Sequence, residues 1–131
     1  MKVRRFQPDD APRIARLNAR LAAGGVHWHV WDEGPEDGAD RVPIASRCFV
    51  AEADDEVRGA VWLHEHGFWV HGEERRAGWA KYPVSESLVD PAFGGVAAAM
   101  LIKLTREQPL LMALGMGGRA GAFARLLQSM R

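Results

Sequence analysis

Residues 88–101 read Leu-Val-Asp-Pro-Ala-Phe-Gly-Gly-Val-Ala-Ala-Ala-Met-Leu. Upstream, Trp79 to Val89 has the composition of a strand, interrupted early by Pro83, and Pro91 ends it because proline cannot donate a ladder hydrogen bond. The pair Gly94-Gly95 then opens a helix. The apolar face of this helix consists of Val96, Met100, Leu101 and Leu104. The segment is therefore predicted to be a strand, a glycine turn and a helix N-terminus.

The start of that helix is a predicted anion site. The first N–H groups of a helix have no partner within the helix, and they lie at the positive end of its dipole. A pyrophosphate can bind there without a charged side chain. The glycine and alanine residues from Gly94 to Ala99 leave room for its close approach.

The rest of the chain also follows strand and helix patterns. A short strand at Lys2 to Gln7 precedes an amphipathic helix that ends at Gly24-Gly25. An irregular segment from Val26 to Ser46 follows, and then a hairpin of two strands, Cys48 to Ala53 and Val57 to His64.

After a polar patch at Gly72 to Arg76 and the glycine-turn segment, the chain ends in a strand and a helix. The strand is predicted at Leu110 to Leu114, the turn at Gly115 to Gly118 and the helix at Ala122 to Met130. The predicted order is β-α-loop-β-β-β-α-β-α, an α/β (α+β) class with a mixed sheet. The strands on either side of the alanine-rich helix should be parallel.

Composition narrows the function classes. A chain of 131 residues with 47% apolar residues can bury one core, so we expect a single domain over residues 1–131. Seventeen basic and seventeen acidic residues cancel, which argues against a nucleic-acid-binding protein. The hydropathy pattern of the sequence shows neither a signal peptide nor a membrane span, so we expect a cytoplasmic protein. Cys48 lies in an apolar run and is predicted to be a buried structural thiol.

The segment from Val89 onward is similar to the acyl-CoA signature of the GNAT acetyltransferase family. In that signature a strand ends at Val-x-Pro, and an Arg or Gln, a Gly, and a Gly or Ala follow at fixed spacing. Those three positions hold Gly94, Ala97 and Ala99 here, and of them only Ala99 conforms. The predicted order of strands and helices resembles the family over nearly the whole chain.

The resemblance implies a GNAT-like fold that transfers an acyl group from acetyl-CoA or another acyl-CoA to an amine of a small molecule or peptide. The strand from Pro83 to Val89 would line the pantetheine, and the helix start would hold the pyrophosphate. The residues implied for acyl-CoA binding are Val89, Gly94, Gly95, Val96, Ala97, Ala98 and Ala99.

Acyl transfer to an amine needs a base that accepts the ammonium proton. Glu86 is the first candidate, because the predicted strand places it beside the thioester. A solvated residue on an edge strand is the alternative interpretation of Glu86. Further candidates at the end of the hairpin are His64, Glu65 and His66.

Several departures from the family pattern favour an alternative function. The family often has a Tyr in the last helix and an Asn after the second parallel strand, but the sole tyrosine here is Tyr82 and the sole asparagine is Asn18. With the missing Arg or Gln at Gly94, these departures favour a catalytically inactive GNAT-like module that binds acyl-CoA or a protein partner.

The family usually ends with two further strands, for which no residues remain after the last predicted helix. The strand at Leu110 to Leu114 would then have a free edge. We therefore expect a homodimer, or packing against a further domain if the chain is the N-terminal part of a longer protein.

Two His-x-His pairs, at His27 and His29 and at His64 and His66, would suit a metal ion if extended. Neighbouring aromatic residues favour instead a half-buried surface near an acceptor pocket or an interface. No metal ligand is assigned on this pattern.

Overall fold

The computed structural model describes residues 1–27, residue 30, residues 45–113 and residues 121–129. The strands in these ranges are β1 (Lys2–Arg5), β2 (Ala45–Ala53), β3 (Glu56–Val70), β4 (Glu73–Ser85) and β5 (Leu111–Ala113). The helices are α1 (Ala11–Ala23), α2 (Val96–Glu107) and α3 (Ala122–Ser129). Short 3₁₀ turns cover Pro8–Asp10, Glu86–Leu88 and Pro91–Phe93. Most of the predicted irregular segment and the predicted turn at Gly115 to Gly118 lie outside the described residues.

One mixed sheet has the strand order β1-β2-β3-β4-β5. Strands β1 to β4 are antiparallel neighbours, whereas β4 and β5 pair in parallel from Gly78–Leu111 to Ala80–Ala113. Helix α2 connects the two parallel strands. These observations confirm the predicted α/β class, the element order and the parallel pair. In the described part of the chain, no further strand follows β5.

The two main helices cover opposite faces of the sheet. Helix α1 contributes Ile14, Leu17 and Leu21 to a core on the face that presents Val50. Helix α2 packs on the opposite face, which presents Phe49. Adjacent residues of β2 therefore belong to different cores, because successive side chains of a strand point to opposite faces of the sheet.

The thiol of Cys48 belongs to the buried interior, as the sequence predicted. Its side chain is 5% exposed. Burial, with a smaller contribution from the negative charge of Asp10, raises its pKa to about 12. A thiol with such a pKa is not a nucleophile near neutral pH.

Among the described helices, none is long and apolar enough to cross a membrane.

The hairpin of β3 and β4 is longer than the sequence predicted. The predicted polar patch at Gly72 to Arg76 is the start of β4, and β3 continues to Val70 instead of ending at His64. His71 and Gly72 form a two-residue turn with φ of 53° and 83°, as a type I′ turn requires. Both faces of this part of the hairpin meet water, so its residues lack the apolar alternation that identifies a half-buried strand.

The end of β4 also differs from the prediction. The strand ends at Ser85, not at Val89, because Glu86 to Leu88 turn into a 3₁₀ helix. The Ser85 hydroxyl caps this turn by accepting a hydrogen bond from the Ser87 amide at 3.2 Å. Before the end, the β3–β4 register shifts near Tyr82-Pro83, and Tyr82 has a φ of 49°. Pro83 is therefore at a bulge, where a missing N–H is tolerated.

Gly59 allows the close approach of α2 to β3. A Cβ atom at this residue would lie 2.7 Å from Cγ1 of Val96 and 2.8 Å from the carbonyl oxygen of Val84. We expect Gly59→Ala to lower the free energy of unfolding by about 1–3 kcal/mol, because the methyl group must displace α2. Urea denaturation measures the change. Gly95→Ala is the control, since a Cβ there would meet only Cε of Met1 at 3.7 Å; equal stability of the two variants would contradict the prediction.

Candidate functional site

The start of α2 is open to solvent. Asp90 caps the preceding 3₁₀ turn by accepting a hydrogen bond from the Ala92 amide at 2.9 Å. Gly94 and Gly95 follow in right-handed helical conformation, with φ of −53° and −78°, and both are exposed. Neither glycine is required by its backbone conformation. Because the two glycines have no side chains, they leave free space in front of the helix N-terminus.

Four consecutive amides at this helix start have no acceptor among the described residues. They belong to Gly95, Val96, Ala97 and Ala98, and the first bond of the helical ladder is Ala99 N–H to Gly95 O at 3.0 Å. Unpaired amides at the positive end of a helix dipole attract an anion. The predicted anion site therefore has the geometry that binding would need.

The predicted acyl-CoA-binding residues do not all face this opening. The side chain of Val96 is buried beneath α2, against the sheet. Val89 packs towards α1, where a Cβ added to Gly24 would lie 2.2 Å from its Cγ1, and its amide already bonds to Glu86 O at 3.0 Å. Gly94, Gly95 and Ala97 to Ala99 are the accessible members of the predicted set. Because β4 ends at Ser85, the predicted pantetheine-lining strand is correspondingly shorter.

Glu86 lies in the 3₁₀ turn after β4, not on a strand, and only 3% of it is exposed. Its carboxylate accepts hydrogen bonds from Arg20 at 2.7 and 3.1 Å and from Arg58 at 3.2 Å. The predicted strand position was therefore wrong, and so was the alternative interpretation of Glu86 as a solvated edge-strand residue. Both oxygens are occupied by ion pairs that join α1, β3 and this turn. The role of Glu86 as a general base stays a prediction, and this geometry is that of a structural residue.

Arg58 brings positive charge to the segment before α2. The sequence alone did not predict this contribution. Its guanidinium carbon lies 4.3 Å from the ring centroid of Phe93, the residue before Gly94. Its Nε is buried and has no hydrogen-bond partner. No local pattern could have identified this contact, because strand pairing brings Arg58 to Phe93.

The bulge in β4 places two polar residues beside the parallel strand pair. Ladder pairing of β4 with β5 covers Gly78 to Ala80, and the bulge follows immediately. Tyr82 is 55% exposed there, and Nζ of Lys81 lies 4.7 Å from its ring centroid. The sequence alone gives Tyr82 no role of its own. The proline that follows it is the feature of the sequence that indicates a bulge.

The other candidate bases point to opposite faces of the sheet. His64 lies between Trp62 and Trp79, with ring centroids 6.3 and 6.1 Å away, and its Nδ1 is 3.1 Å from the Ser46 hydroxyl. Glu65 faces α2, where it forms an ion pair with Arg47 and accepts a hydrogen bond from Gln108 at 3.3 Å. The carboxylate of Glu65 is therefore part of a structural network.

His66 and His27 do not join His64 in a metal site. His66 contacts Phe68 edge to face at 4.2 Å, and its Nε2 is buried without a partner. Within the described residues, no group of three or more His, Cys, Asp or Glu side chains could hold a metal ion. His29 lies outside those residues.

Comparison with solved structures identifies the architecture. A protein from Bacillus halodurans superposes with a TM-score of 0.60 at 15% identity, over 98% of this chain and 92% of that one. A ribosomal-protein-alanine N-acetyltransferase from Brucella melitensis biovar Abortus gives a TM-score of 0.57 at 21% identity, over 99% and 90%. A predicted acetyltransferase from Clostridium acetobutylicum, solved with acetyl-CoA, gives 0.58 at 14% identity, over 98% and 87%.

The fold is that of a GNAT acetyltransferase. No protein-family model matches the chain, and no curated protein matches it by sequence. The likeness to these structures is therefore a likeness of fold. Asn18 is not at the position after the second parallel strand where the GNAT family often has an Asn. Its side-chain nitrogen donates to Val30 O at 2.7 Å and its side-chain oxygen accepts from Val30 N at 2.8 Å, so Asn18 has a structural role here.

Removal of the Glu86 charge should destabilise the fold. We expect Glu86→Gln to lower the free energy of unfolding by roughly 3 kcal/mol, because Arg20 and Arg58 would lose their buried counter-charge. Chemical denaturation measures the loss. Glu73→Gln is a matched control, because that side chain is 67% exposed. If Glu86→Gln is as stable as the wild type but loses acyl transfer, the general-base hypothesis is correct and the structural assignment is not.

The environment of His64 predicts a pH-dependent stability. Burial lowers its pKa from the ordinary value of 6.5, and the charges of Lys81 and His66 act in the same direction. The folded chain therefore binds this proton less tightly than the unfolded chain. The stability contributed by neutral His64 is complete above the unfolded pKa and is lost as the pH falls from there through the lower folded pKa.

We expect His64→Gln to reduce the loss of stability between pH 8 and pH 5, as measured by urea denaturation at each pH. His27→Gln, a change at an exposed histidine, is the control. An unchanged pH dependence in His64→Gln would refute the assignment of this titration to His64.

Proposed function

We propose that this chain is an acyl-CoA-dependent N-acyltransferase that transfers an acetyl or related acyl group to an amine. The observation that carries the proposal is the run of four amides at the exposed start of α2, from Gly95 to Ala98, that have no acceptor among the described residues. This run follows the segment that is similar to the family's acyl-CoA signature. The GNAT fold, and the presence of acetyl-CoA in one structure of that fold, support the same function.

The amides of Gly95 to Ala98 would hold the pyrophosphate of the acyl-CoA. Backbone donors are independent of side-chain identity, so the departures at Gly94 and Ala97 do not remove them. The missing Arg or Gln would remove one further donor to the phosphate, which predicts weaker binding than a complete signature would provide. Val89 would contribute only through packing of the turn.

The reaction forms a bond between the amine nitrogen and the thioester carbonyl carbon and breaks the bond from that carbon to sulfur. The ammonium proton goes to a base, and the departing CoA thiolate takes a proton. Alignment of the two reactants can supply much of the rate increase, so transfer does not require a dedicated tyrosine. We propose that the acceptor, an amine of a small molecule or peptide, binds next to the β4 bulge. The cytoplasmic location stays a prediction from the sequence.

The alternative function is that of a catalytically inactive GNAT-like module that binds acyl-CoA or a protein partner. The ion pairs of Glu86 favour it, since they occupy both oxygens of the first candidate base. Binding of acyl-CoA is common to the proposed enzyme and to one form of the module. Binding and transfer must therefore be measured separately.

Calorimetric titration of acetyl-CoA and of free CoA tests the binding site. We expect micromolar binding by the wild type, and at least a tenfold loss in Gly95→Glu, because the new carboxylate would repel the pyrophosphate. The change should not unfold the chain, since the site of a Cβ at Gly95 is open and a carboxylate favours a helix N-terminus. Gly95→Ala is the control for side-chain volume and should bind within a few-fold of the wild type.

Absence of binding by the folded wild type would refute the acyl-CoA site. If binding occurs, release of CoA thiol in the presence of an alanyl peptide and of simple primary amines tests transfer. Binding without CoA release for any of these amines would favour the inactive module.

A further inference from the structure

The β3–β4 hairpin projects beyond its neighbouring strands. Among the described residues, pairing of β2 with β3 reaches to Glu65, and pairing of β5 with β4 begins at Gly78. Residues 66–77 therefore form a two-stranded extension, which we call the arm. Its register is regular throughout, and its tip carries Trp69 with 77% of the residue exposed.

The outer edge of the arm presents unpaired backbone groups. Gly78 donates its N–H to Leu110 O at 2.8 Å, so the backbone groups of Gly78 point away from β3. Alternate residues of a strand point the same way. Glu74 and Arg76 therefore direct their N–H and C=O groups to the outer edge, where they bond to no described residue. Residues 73–76 are all exposed.

We propose that this edge pairs with the same edge of a second copy of the chain. The two β4 strands would run antiparallel about a two-fold axis through Arg75. Glu74 of each copy then lies opposite Arg76 of the other, and these two residues exchange both of their outward backbone hydrogen bonds. The pairing covers residues 73–77 and ends where β5 already occupies the edge at Gly78.

The outward backbone groups of the arm select this register, and its charges suit it. Residues 73–76 read Glu-Glu-Arg-Arg, with no net charge. Two other registers match the outward backbone groups, with axes at Glu74 and at Arg76. The first would pair Arg76 with Gly72 of the turn, and the second would pair Glu74 with Gly78, whose N–H already bonds to Leu110 O, so each keeps a single hydrogen-bonded pair. Registers centred between residues would pair outward groups with inward ones. The axis at Arg75 gives two hydrogen-bonded pairs, and each of them places Glu74 opposite Arg76. The two Arg75 side chains that face each other at the axis each have a Glu73 beside them.

The central Arg75 is neutralised in this arrangement. It forms an ion pair with Glu73 of its own strand at 2.5 Å, and Glu73 of the second copy would lie diagonal to it. The balanced charge of the arm, with two acidic and two basic residues, does not suit a polyanion or an anionic membrane surface. A second copy of the arm is the partner whose charges it complements.

The contact is small. Five residues a side fall well short of the roughly 20 to 30 residues that each partner of a stable complex contributes. We therefore expect a concentration-dependent equilibrium between monomer and dimer. This inference does not depend on the proposed acyl transfer.

Sedimentation of the full chain over a concentration series tests the pairing through charge reversal. We expect Glu74→Arg and Arg76→Glu each to raise the dissociation constant of the dimer at least tenfold, because each would place like charges opposite one another. An equimolar mixture of the two variants should dimerise at least as well as the wild type, since residues 74 and 76 of each copy then face opposite charges. Arg106→Glu, an exposed change on α2 of the same charge difference as Arg76→Glu, is the control.

Hydrogen exchange provides a second readout. The amides of Glu74 and Arg76 should become protected as the concentration rises, whereas the exposed amide of Gly95 should not. A wild type that stays monomeric at millimolar concentration would overturn the proposal. So would single variants that dimerise like the wild type, or a mixture that fails to recover dimerisation.

Discussion

The carboxylate of Glu86 lies at the junction of three elements and is neutralised from two of them. Arg20 reaches it from α1 and Arg58 reaches it from β3. An isolated carboxylate at this depth would be strongly unfavourable, so its position requires both arginines. Because Glu86 starts the turn that leaves the sheet after β4, these ion pairs also determine where the chain enters α2. Arg20 strengthens the junction by donating to the carbonyl oxygen of Val57 at 2.7 Å.

The candidate site depends on this junction through backbone position. Its donors are amides, and their direction follows from where α2 begins and from how closely it approaches the sheet at Gly59. Side chains at the site are small or absent, so the site tolerates departures from a consensus as long as the helix start stays exposed. This explains how a degenerate signature can coincide with a well-formed anion-binding geometry.

The arm is stabilised by different interactions from those that stabilise the body of the sheet. Strands β2 and β3 up to Glu65 pair inside the sheet and separate two apolar cores. In the arm, by contrast, residues 67–76 are exposed except for the half-buried Phe68. In the arm, the structure is maintained by the hydrogen-bond ladder with the facing strand, the turn at His71-Gly72, and local side-chain contacts such as His66 with Phe68. An edge of this kind is available for association, and its charges then select the partner.

Local patterns in the sequence determined the α/β order, the buried stripe of α1 and the glycine turn before α2, because periodicity and turn chemistry are properties of neighbouring residues. They could not determine that β4 ends at Ser85 or that Glu86 is paired, since Arg20 and Glu86 are 66 positions apart. The arm was missed for a related reason: a strand that is solvated on both faces has no apolar alternation to detect. Tertiary structure decided these features, because they arise from contacts that form only once the sheet has brought distant segments together.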